Sequence, residues 1–468
     1  ALYYGSAGIL AIICLSLNIL LLIGTLDSMN ATITIPAIAG IVLTVGMGID
    51  ASIIIFERIK EELSAGKGLY IAIEDGTSRS LPAIIDSNLT TILAGIILYS
   101  FTIGPVQNFA TTLIAGNIIN IITQVFIQLL LLKLCMERNI PITFRFVFKK
   151  DIFKNIRIRW MNYARQFLLI SGILTFSFII VAVFRGFDIG VDFKGGRTII
   201  ASSEKAIPVS AIRKNLSNAL IDEKGKKYSN SVVTFGSDRR YKIVTDYLSG
   251  DQSEEATKRV IEKIQSAFKI ADTQVKVEGV DMVGPSIAMD TIRDSIIAVI
   301  VGFIAMFIYI LIRFKYRNMA IGAIAGLFHD AIVILGCFAI FHGVVPFSLE
   351  IDQVFIGAIL TVLGYSINDT VIVFDRVRER FLLFKNESFY DSINNGINNV
   401  LSRTIFTSLT TFISSLVLLI FGGETTRGFA FAITIGVITG TYSSIGISAA
   451  LAFIFHKEKK QLTHLQAS

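Results

Sequence analysis

Long apolar runs alternate with short polar connections along the chain, and that alternation decides its class. Ten runs are long enough to cross about 30 Å of hydrocarbon at 1.5 Å per residue: 8–25, 34–56, 81–102, 109–135, 167–184, 294–313, 319–342, 352–374, 403–421 and 428–455. One polar segment, about 185–290, interrupts them and has the pattern of a small soluble domain. Within it 197–202, 231–236, 241–248 and 274–280 are strand-like, 208–220 has a helical period and 254–268 is amphipathic. The order β-α-β-β-α-β predicts a ferredoxin-like arrangement, which alone implies no chemistry. The expected fold class is therefore an α-helical polytopic membrane protein of about ten spans with one α+β ferredoxin-like domain.

The spans repeat. Gly46-Met47-Gly48-Ile49-Asp50 followed by Phe56-Glu57-Arg58 has the design of Gly364-Tyr365-Ser366-Ile367-Asn368-Asp369 followed by Phe374-Asp375-Arg376. The register is offset, so Asp50 falls opposite Asn368 and Asp369 opposite Ala51. Asn88-Leu89-Thr90-Thr91 pairs with Ser408-Leu409-Thr410-Thr411, Phe109-Ala110 and Gly116 with Phe429-Ala430 and Gly436, and Asn18 with Asp330. The first four and last four spans thus form one duplicated bundle. Both copies start on the same side, so the repeat is parallel, with functional polar residues expected where the halves meet.

Charge sets orientation. The sequence has 468 residues, 53% hydrophobic, with 43 Lys+Arg against 36 Asp+Glu, a net +7. The basic residues cluster between apolar runs, so they do not describe a nucleic-acid surface. Five regions carry them: 58–79, 133–165, 313–317, 376–385 and the tail from Lys457. The intervening short loops hold one arginine, Arg427. The positive-inside rule places the basic set in the cytoplasm and the 185–290 domain outside, in agreement with a strict ten-span alternation. Cys14, Cys135 and Cys337 form no metal spacing and no disulfide framework. The start at Ala1-Leu2-Tyr3-Tyr4 has no initiator Met and no signal peptide, and suggests a piece of a longer chain.

Chemistry concentrates on charges inside the spans. A carboxylate well inside a membrane helix costs roughly 2.5–3.5 kcal/mol on insertion scales, so it usually has a partner and a task. Asp369 lies about five residues from the basic end of its run, and Arg403 opens the next run from the same side. The two can meet at similar depth, either as a static pair that aids assembly or as a proton switch. Asp50 sits at matching depth in the first half, where a residue merely capped by Asn or Thr neighbours is the alternative. Asp330 is expected to face an inward gap, with His329 beside it as hydrogen-bonder or proton carrier. Asp86 lacks a counterpart, Phe406 holding that place, and is the weakest candidate. Thr90, Thr91, Thr410 and Thr411 suit either a polar path or bonding to their own backbone, and Gly46, Gly48, Gly116 and Gly364 suit close packing. Glu57-Arg58 and Asp375-Arg376 read as solvated charge where helices leave the membrane. The segment from Asn117 to Leu132, with Asn117, Asn120 and Gln124, is more polar than its partner at 437–452, without an evident reason in the sequence. No nucleotide loop, zinc motif or hydrolytic triad stands out. No cofactor or metal is expected, and an ion gradient is the expected energy source.

These motifs resemble the SecD/SecF protein-export family, relatives of the RND exporters. Gly46–Asp50 with Ile55-Phe56-Glu57-Arg58-Ile59-Lys60-Glu61-Glu62 is similar to the SecD membrane motif. Val191-Asp192-Phe193-Lys194-Gly195-Gly196, Val283-Gly284-Pro285-Ser286, His329-Asp330, Gly364–Thr370 and Ser402-Arg403-Thr404 are similar to SecF signatures. The resemblance covers nearly the whole chain. It implies a SecD-like bundle at 1–135, a basic cytoplasmic linker at 136–166 and a first SecF-like span at 167–184. A periplasmic domain at 185–290, a SecF-like bundle at 291–456 and a cytoplasmic tail at 457–468 complete the expected division. The first SecD span and its large periplasmic domain have no counterpart in this stretch.

By the same resemblance the chain is expected in the bacterial inner membrane, using the proton-motive force to help draw preproteins out on the periplasmic side. The family's essential charges fall on Asp50, Asp369 and Arg403 as a proton relay, with Asp330, Asn368, Thr410 and Thr411 as supporting polar groups. Expected partners are the SecYEG translocon, SecA, YajC, YidC, unfolded preproteins and the lipid bilayer. Two other readings remain open at this point: a small-molecule or lipid exporter of the same superfamily, and a non-transporting scaffold for the translocon.

Overall fold

A computed structural model describes residues 3–144, 157–221, 228, 230–235, 237–269, 275–314, 316–384 and 386–456. The expected tail at 457–468, part of the basic linker at 145–156, and Gly236 and Gln274 at two expected strand ends lie outside the described residues.

All ten apolar runs are helical. The first bundle contains α1 (Ser6–Ser28), α2 (Ile35–Ser64), α3 (Leu69–Phe101) and α4 (Pro105–Ile121). α4 continues through a π-helical segment, Ile122–Ile127, into α5 (Gln128–Glu137), making one span. After a 3-10 turn at Trp160–Tyr163, α6 (Ala164–Arg185) crosses to the soluble domain. That domain holds α7 (Val191–Lys194), β1 (Gly196–Ser203), α8 (Val209–Ala219), β2 (Asn230–Thr234), β3 (Arg240–Thr245), α9 (Glu254–Lys269) and β4 (Val275–Val283). The second bundle follows as α10 (Pro285–Phe314), α11 (Arg317–Phe341), α12 (Gln353–Leu383), α13 (Phe389–Phe421) and α14 (Glu424–Ser443), with a π segment at Ser444–Ser448.

Several helices outrun their apolar stretches, because a charged sequence with good helix formers continues the helix into water. α2 runs on through Glu57–Glu62, and α3 begins at Leu69, well before its apolar run. Side-chain caps set several starts. Thr34 accepts from the Ala37 N–H, Asp352 from Phe355 and Ser388 from Asp391.

The duplication is visible in the packing. α2 and α12 are the central helices; α2 packs on α13 of the other half, and α12 on α3. The alignment that pairs Gly116 with Gly436 also carries residues 124–128 onto the second π segment, so both bundles break α-helical register at one place. The paired glycines make close crossings. A Cβ at Gly116 would lie 2.6 Å from Thr44, and one at Gly436 would lie 2.4 Å from Val362. Small residues at such crossings let backbones approach where lipid offers no hydrophobic drive.

The soluble domain has the expected ferredoxin-like topology. Its sheet runs β2-β3-β1-β4, every neighbour antiparallel. The inward positions Ile199, Ala201, Tyr241 and Ile243 meet Ile212 and Leu216 of α8 and Val260, Ile264 and Phe268 of α9. The domain is tied to the start of α12. Ile189 and Ile351 form a parallel bridge, with Gly190 N–H to Ile351 O at 2.9 Å and Ile351 N–H to Asp188 O at 2.7 Å. Asp192 accepts from the Gln353 N–H at 3.3 Å. Lys242 of β3 donates to Glu350 at 3.1 Å, and Ser348 donates to the other oxygen of Glu350 at 2.8 Å.

This joint titrates. Burial, then the neighbouring Asp192 carboxylate, push the Asp352 carboxyl up to about 7. An ordinary Asp titrates near 4. Between about pH 4 and 7 the folded joint therefore holds a proton that the unfolded chain has released, and stability falls as pH rises through that window. Burial raises Asp188 and Asp192 in the same direction. We expect the thermal midpoint of the purified protein to be higher at pH 5.5 than at pH 7.5, and Asp352→Asn to flatten most of that difference. An unchanged slope in the variant places the titration elsewhere.

Candidate functional site

The site lies where the two halves meet. Asp50 of α2 and Asp369 of α12 are 5% and 1% exposed, so neither reaches bulk solvent directly. Thr410 of α13 donates to Asp50 at 3.5 Å. Ser408, half a turn earlier on the same helix, donates to Asp369 at 3.3 Å, and Thr441 of α14 lies 3.5 Å from the same oxygen. Ser408 and Thr441 are themselves 2.6 Å apart. One helix, α13, thus serves the carboxylates of both halves. All these contacts are long for hydroxyl–carboxylate bonds, and the second Asp369 oxygen has no partner among the described residues. Each carboxyl keeps spare acceptor capacity, the condition for taking up a proton without dismantling a finished network.

Arg403 is not hydrogen-bonded to either acid. It makes no ion pair among the described residues, and its Nε and one Nη are buried without a partner. Its charge interacts at longer range with Asp50, Asp369, Asp375 and Glu61. The expected Asp369–Arg403 contact is therefore absent from this state. The reason is geometric: Asp369 is turned to Ser408 and Thr441, whereas Arg403 lines a vestibule of about 570 Å³ on the basic face, opposite the soluble domain.

The other expected residues separate clearly. Asp330 faces no empty gap. It is wholly buried and accepts from Ser366 at 2.6 Å and Ser443 at 2.8 Å, with His329 Nδ1 at 3.1 Å. Asn18, its counterpart, donates to Asn120 at 2.7 Å and to Thr123 at 3.2 Å, and Thr123 is the position matching Ser443. Of the supporting groups only Thr410 touches a relay carboxylate. Asn368 Oδ1 and Thr411 Oγ1 are buried without partners among the described residues. Thr90 and Thr91 bond the Ser87 carbonyl of their own helix, with Thr90 also 3.3 Å from Gly364 O.

Several participants escaped the sequence reading. Ser366, Ser408, Thr441 and Ser443 ligate the intramembrane acids, yet lone Ser and Thr residues in apolar runs are common and give no signal until a carboxylate is placed beside them. The polar excess after Asn117 is explained: Asn120 serves Asn18, while Gln124 and Gln128 each lie 2.6 Å from Ser52 of α2. Asp86, the weakest candidate, has a strong partner across the halves, Arg313 of α10 at 2.6 Å. Arg313 also reaches Asp375 at 3.3 Å. Asp375, read as solvated charge, keeps 35% of its side chain exposed and is also paired with Arg313.

A paired bundle with two offset intramembrane acids and one inserted domain is a specific arrangement, and the family model described as "Protein export membrane protein SecD/SecF, C-terminal" matches residues 2–138 and 263–458. The chain belongs to the SecD/SecF protein-export family. It is 34% identical to the protein translocase subunit SecDF of Bacillus subtilis strain 168, over 96% of this chain and 61% of that relative. It is 40% identical to the SecF subunit of Rhodothermus marinus, over 64% of this chain and 93% of the relative. A crystal structure of SecDF from Thermus thermophilus, described as a translocon-associated membrane protein, superposes with a TM-score of 0.85 at 32% identity, covering 97% of this chain and 60% of that one. The chain spans about three-fifths of the length of these SecDF relatives.

The contrast between the acids gives a test. Asp330 has a filled ligand set, so losing one ligand leaves a buried acceptor short by about 1–3 kcal/mol. Ser366→Ala is expected to lower thermal stability in detergent by several degrees, and Thr410→Val, next to the sparsely ligated Asp50, by much less. Equal losses in thermal unfolding scans would show that the two environments do not differ as described.

Proposed function

We propose that this chain is the energy-coupling membrane part of a protein-export translocase, working in a bacterial inner membrane with the proton-motive force as its source. The observation that carries the proposal is the pair of under-ligated carboxylates, one from each half, facing a shared Ser/Thr helix. The unpaired Arg403 stands between them and a vestibule. The basic connections favour a cytoplasmic basic face and a periplasmic soluble domain.

Asp50, Asp369 and Arg403 form the proton relay. With Asp369 ionised, its carboxylate accepts from Ser408 and Thr441 and attracts Arg403 across the gap. Proton uptake at Asp369 removes that attraction and turns an acceptor into a donor, so the Ser408–Thr441 pair reorients and Arg403 shifts its interaction to Asp50 or to the vestibule acids. α13 carries Ser408, Thr410 and Arg403, so a change at either acid is felt on one helix. The two bundles then rock about their shared interface. One charge crossing 100 mV supplies about 2.3 kcal/mol, enough to bias two packings that differ by a few kcal/mol. Asp330, held by three ligands, positions α11 against α12 and α14. The soluble domain, joined to α12, moves with the helix that carries Asp369.

On this reading the partners are the SecYEG translocon with SecA, YajC and YidC, the cargo is unfolded preprotein, and the work is translocation and release at the periplasmic side. The test is preprotein translocation into sealed vesicles under an imposed proton gradient. Asp369→Asn is expected to abolish the gradient-dependent stimulation while the protein stays inserted and bound to the translocon. Equal stimulation by wild type and variant would remove Asp369 from the mechanism and leave a scaffold.

A further inference from the structure

The Phe-acid-Arg motif that closes both central helices has a task that the proton relay does not use. Phe56 and Phe374 are buried at 1% and 2% exposure and fix the last turns of α2 and α12 in register. From there Arg58 bonds Glu61 of its own helix at 2.6 Å and reaches Glu379 of α12 at 3.9 Å. Arg376 bonds Glu379 of its own helix at 2.8 Å and reaches Glu61 of α2 at 3.2 Å. The four side chains make a closed ring of alternating sign. The repeat exchanges its members, since Arg58 corresponds to Arg376 and Glu61 to Glu379. The match is not complete, for Arg58 Nε also lies 3.8 Å from Glu62 Oε1, whereas Arg376 Nε is buried without a hydrogen bond. Arg58 and Arg376, read from the sequence as solvated charge at the helix exits, are partly exposed and also paired between the halves.

The ring lines the vestibule that leads to Arg403. The lining comes from both halves and includes Asp86, Arg313 and Asp375, a second cross-half bridge deeper along α3, α10 and α12. The ring arginines are 22% and 21% exposed and the glutamates 44% and 40%. Ion pairs at that exposure are individually weak and screened by salt. Two of the four, Arg58–Glu379 and Arg376–Glu61, cross between the helices while the two intrahelical pairs orient their arginines, so the contact holds and still releases without a large barrier. Fixed contacts within each half at this level are apolar, Phe56 against Tyr4 and Phe144 and Phe374 against Phe314.

We propose that Arg58, Glu61, Arg376 and Glu379 are a releasable clasp between the two halves, joining the walls of the Arg403 vestibule in the described state and parting when the bundles rock. What opens the clasp rests on the proton-driven reading above; the clasp itself does not. When joined it limits how far the vestibule widens around Arg403 and so slows exchange with the basic-face solvent.

The test uses the whole chain in proteoliposomes, in a background with its three cysteines replaced. Val400, a buried residue lining the vestibule, becomes the reporter as Val400→Cys. A membrane-impermeant thiol reagent is applied from the basic face and its labelling rate measured. Neutralising the ring with Glu61→Gln and Glu379→Gln is expected to raise the rate about fivefold to tenfold, as expected for losing several weak pairs. Reversing all four charges with Arg58→Glu, Glu61→Arg, Arg376→Glu and Glu379→Arg rebuilds a ring of opposite sense, and the slow rate is expected to return. Equal rates in neutralised and intact rings overturn the clasp, and so does fast labelling of the reversed ring in a protein of unchanged thermal stability. Asp369→Asn in the same background separates the two proposals. If Asp369→Asn leaves gradient-stimulated translocation intact while labelling still follows the ring, the proton reading falls and the clasp stands. If it abolishes stimulation while labelling ignores the ring, the reverse holds.

Discussion

The structure depends on one constraint: an acid buried in a helical bundle must find its hydrogen bonds from within the bundle. No water and no free backbone group are at hand in the hydrocarbon zone to supply them. That constraint accounts for the placement of hydroxyls on the helices around α12, with Ser366 and Ser443 on Asp330 and Ser408 and Thr441 on Asp369. It also explains why α12 is nearly enclosed, 94% of its most apolar window being buried. A helix with two acid environments on its faces cannot turn one of them to lipid. The small residues at the crossings follow, because hydroxyl-to-carboxylate distances require neighbouring backbones to come close. Within this frame the degree of ligation separates the acids. Asp330 has short bonds to two hydroxyls and an adjacent imidazole and behaves as a fixed part of the packing. Asp369 has long bonds and an idle oxygen, which marks a group with more than one acceptable state.

Duplication supplies a symmetric frame on which chemistry is placed asymmetrically. Both halves carry the Phe-acid-Arg ending, the π segment in the fourth span and the glycine crossing. The acids do not superpose, since Asp50 aligns with Asn368 and Asp369 with Ala51. Asn18 replaces Asp330 as the buried group of the peripheral helix, and its neighbours change with it: Asn120 and Thr123 where the second half has Gly440 and Ser443. Glu57 and Asp375 diverge as well, Glu57 toward Tyr4 and Lys60 and Asp375 toward Arg313 and Arg378. The ring of Arg58, Glu61, Arg376 and Glu379 keeps the symmetry that the acids have lost. Its members meet one another across the pseudo-axis, so neither half can change alone without breaking a pair.

Spans, repeat and domain topology were legible from the sequence because each rests on periodicity summed over many residues. The strand order of the soluble domain followed from the order of its elements. Side-chain partnerships were legible only where the repeat or an unusual residue type marked them. Asp50 and Asp369 stood out as charges in apolar runs, and the structure brings both against α13, through Thr410 and Ser408. Their hydroxyl ligands did not stand out, because an intrahelical backbone bond is an equally good home for a Ser or Thr, as Thr90 and Thr91 demonstrate. Arg403 was read as a contact of Asp369, and the structure shows no such contact. Sequence spacing fixes height along a helix and leaves rotation open, and the rotation here directs Asp369 to Ser408 while Arg403 faces the vestibule. Asp86 and Asp375 were underestimated for a related reason. Their common partner, Arg313, lies at the end of α10, more than 200 residues from Asp86 in sequence, and no local pattern joins them.

The central helix of the second half is held at both ends by polar contacts and loaded in its interior. At its start Asp192 and the Ile189–Ile351 bridge bind it to the soluble domain, with Lys242 and Glu350 alongside. Near its end Arg376 and Glu379 bind it to α2. Asp369 lies about 24 Å along the axis from Gln353 and about 10 Å from Arg376, at 1.5 Å per residue. A helix this long and this enclosed transmits axial shift or tilt with little loss, because its own hydrogen bonds are stiffer than the contacts at its ends. A change in charge at Asp369 therefore has two mechanical outlets, and they differ in strength. The domain joint is built from backbone pairs and a mostly buried ion pair; the ring is built from partly exposed charges that salt and water weaken. On the clasp proposal a displacement of α12 releases the ring first and carries the soluble domain with it, the movable contact lying at the basic face and the firmer one at the domain face.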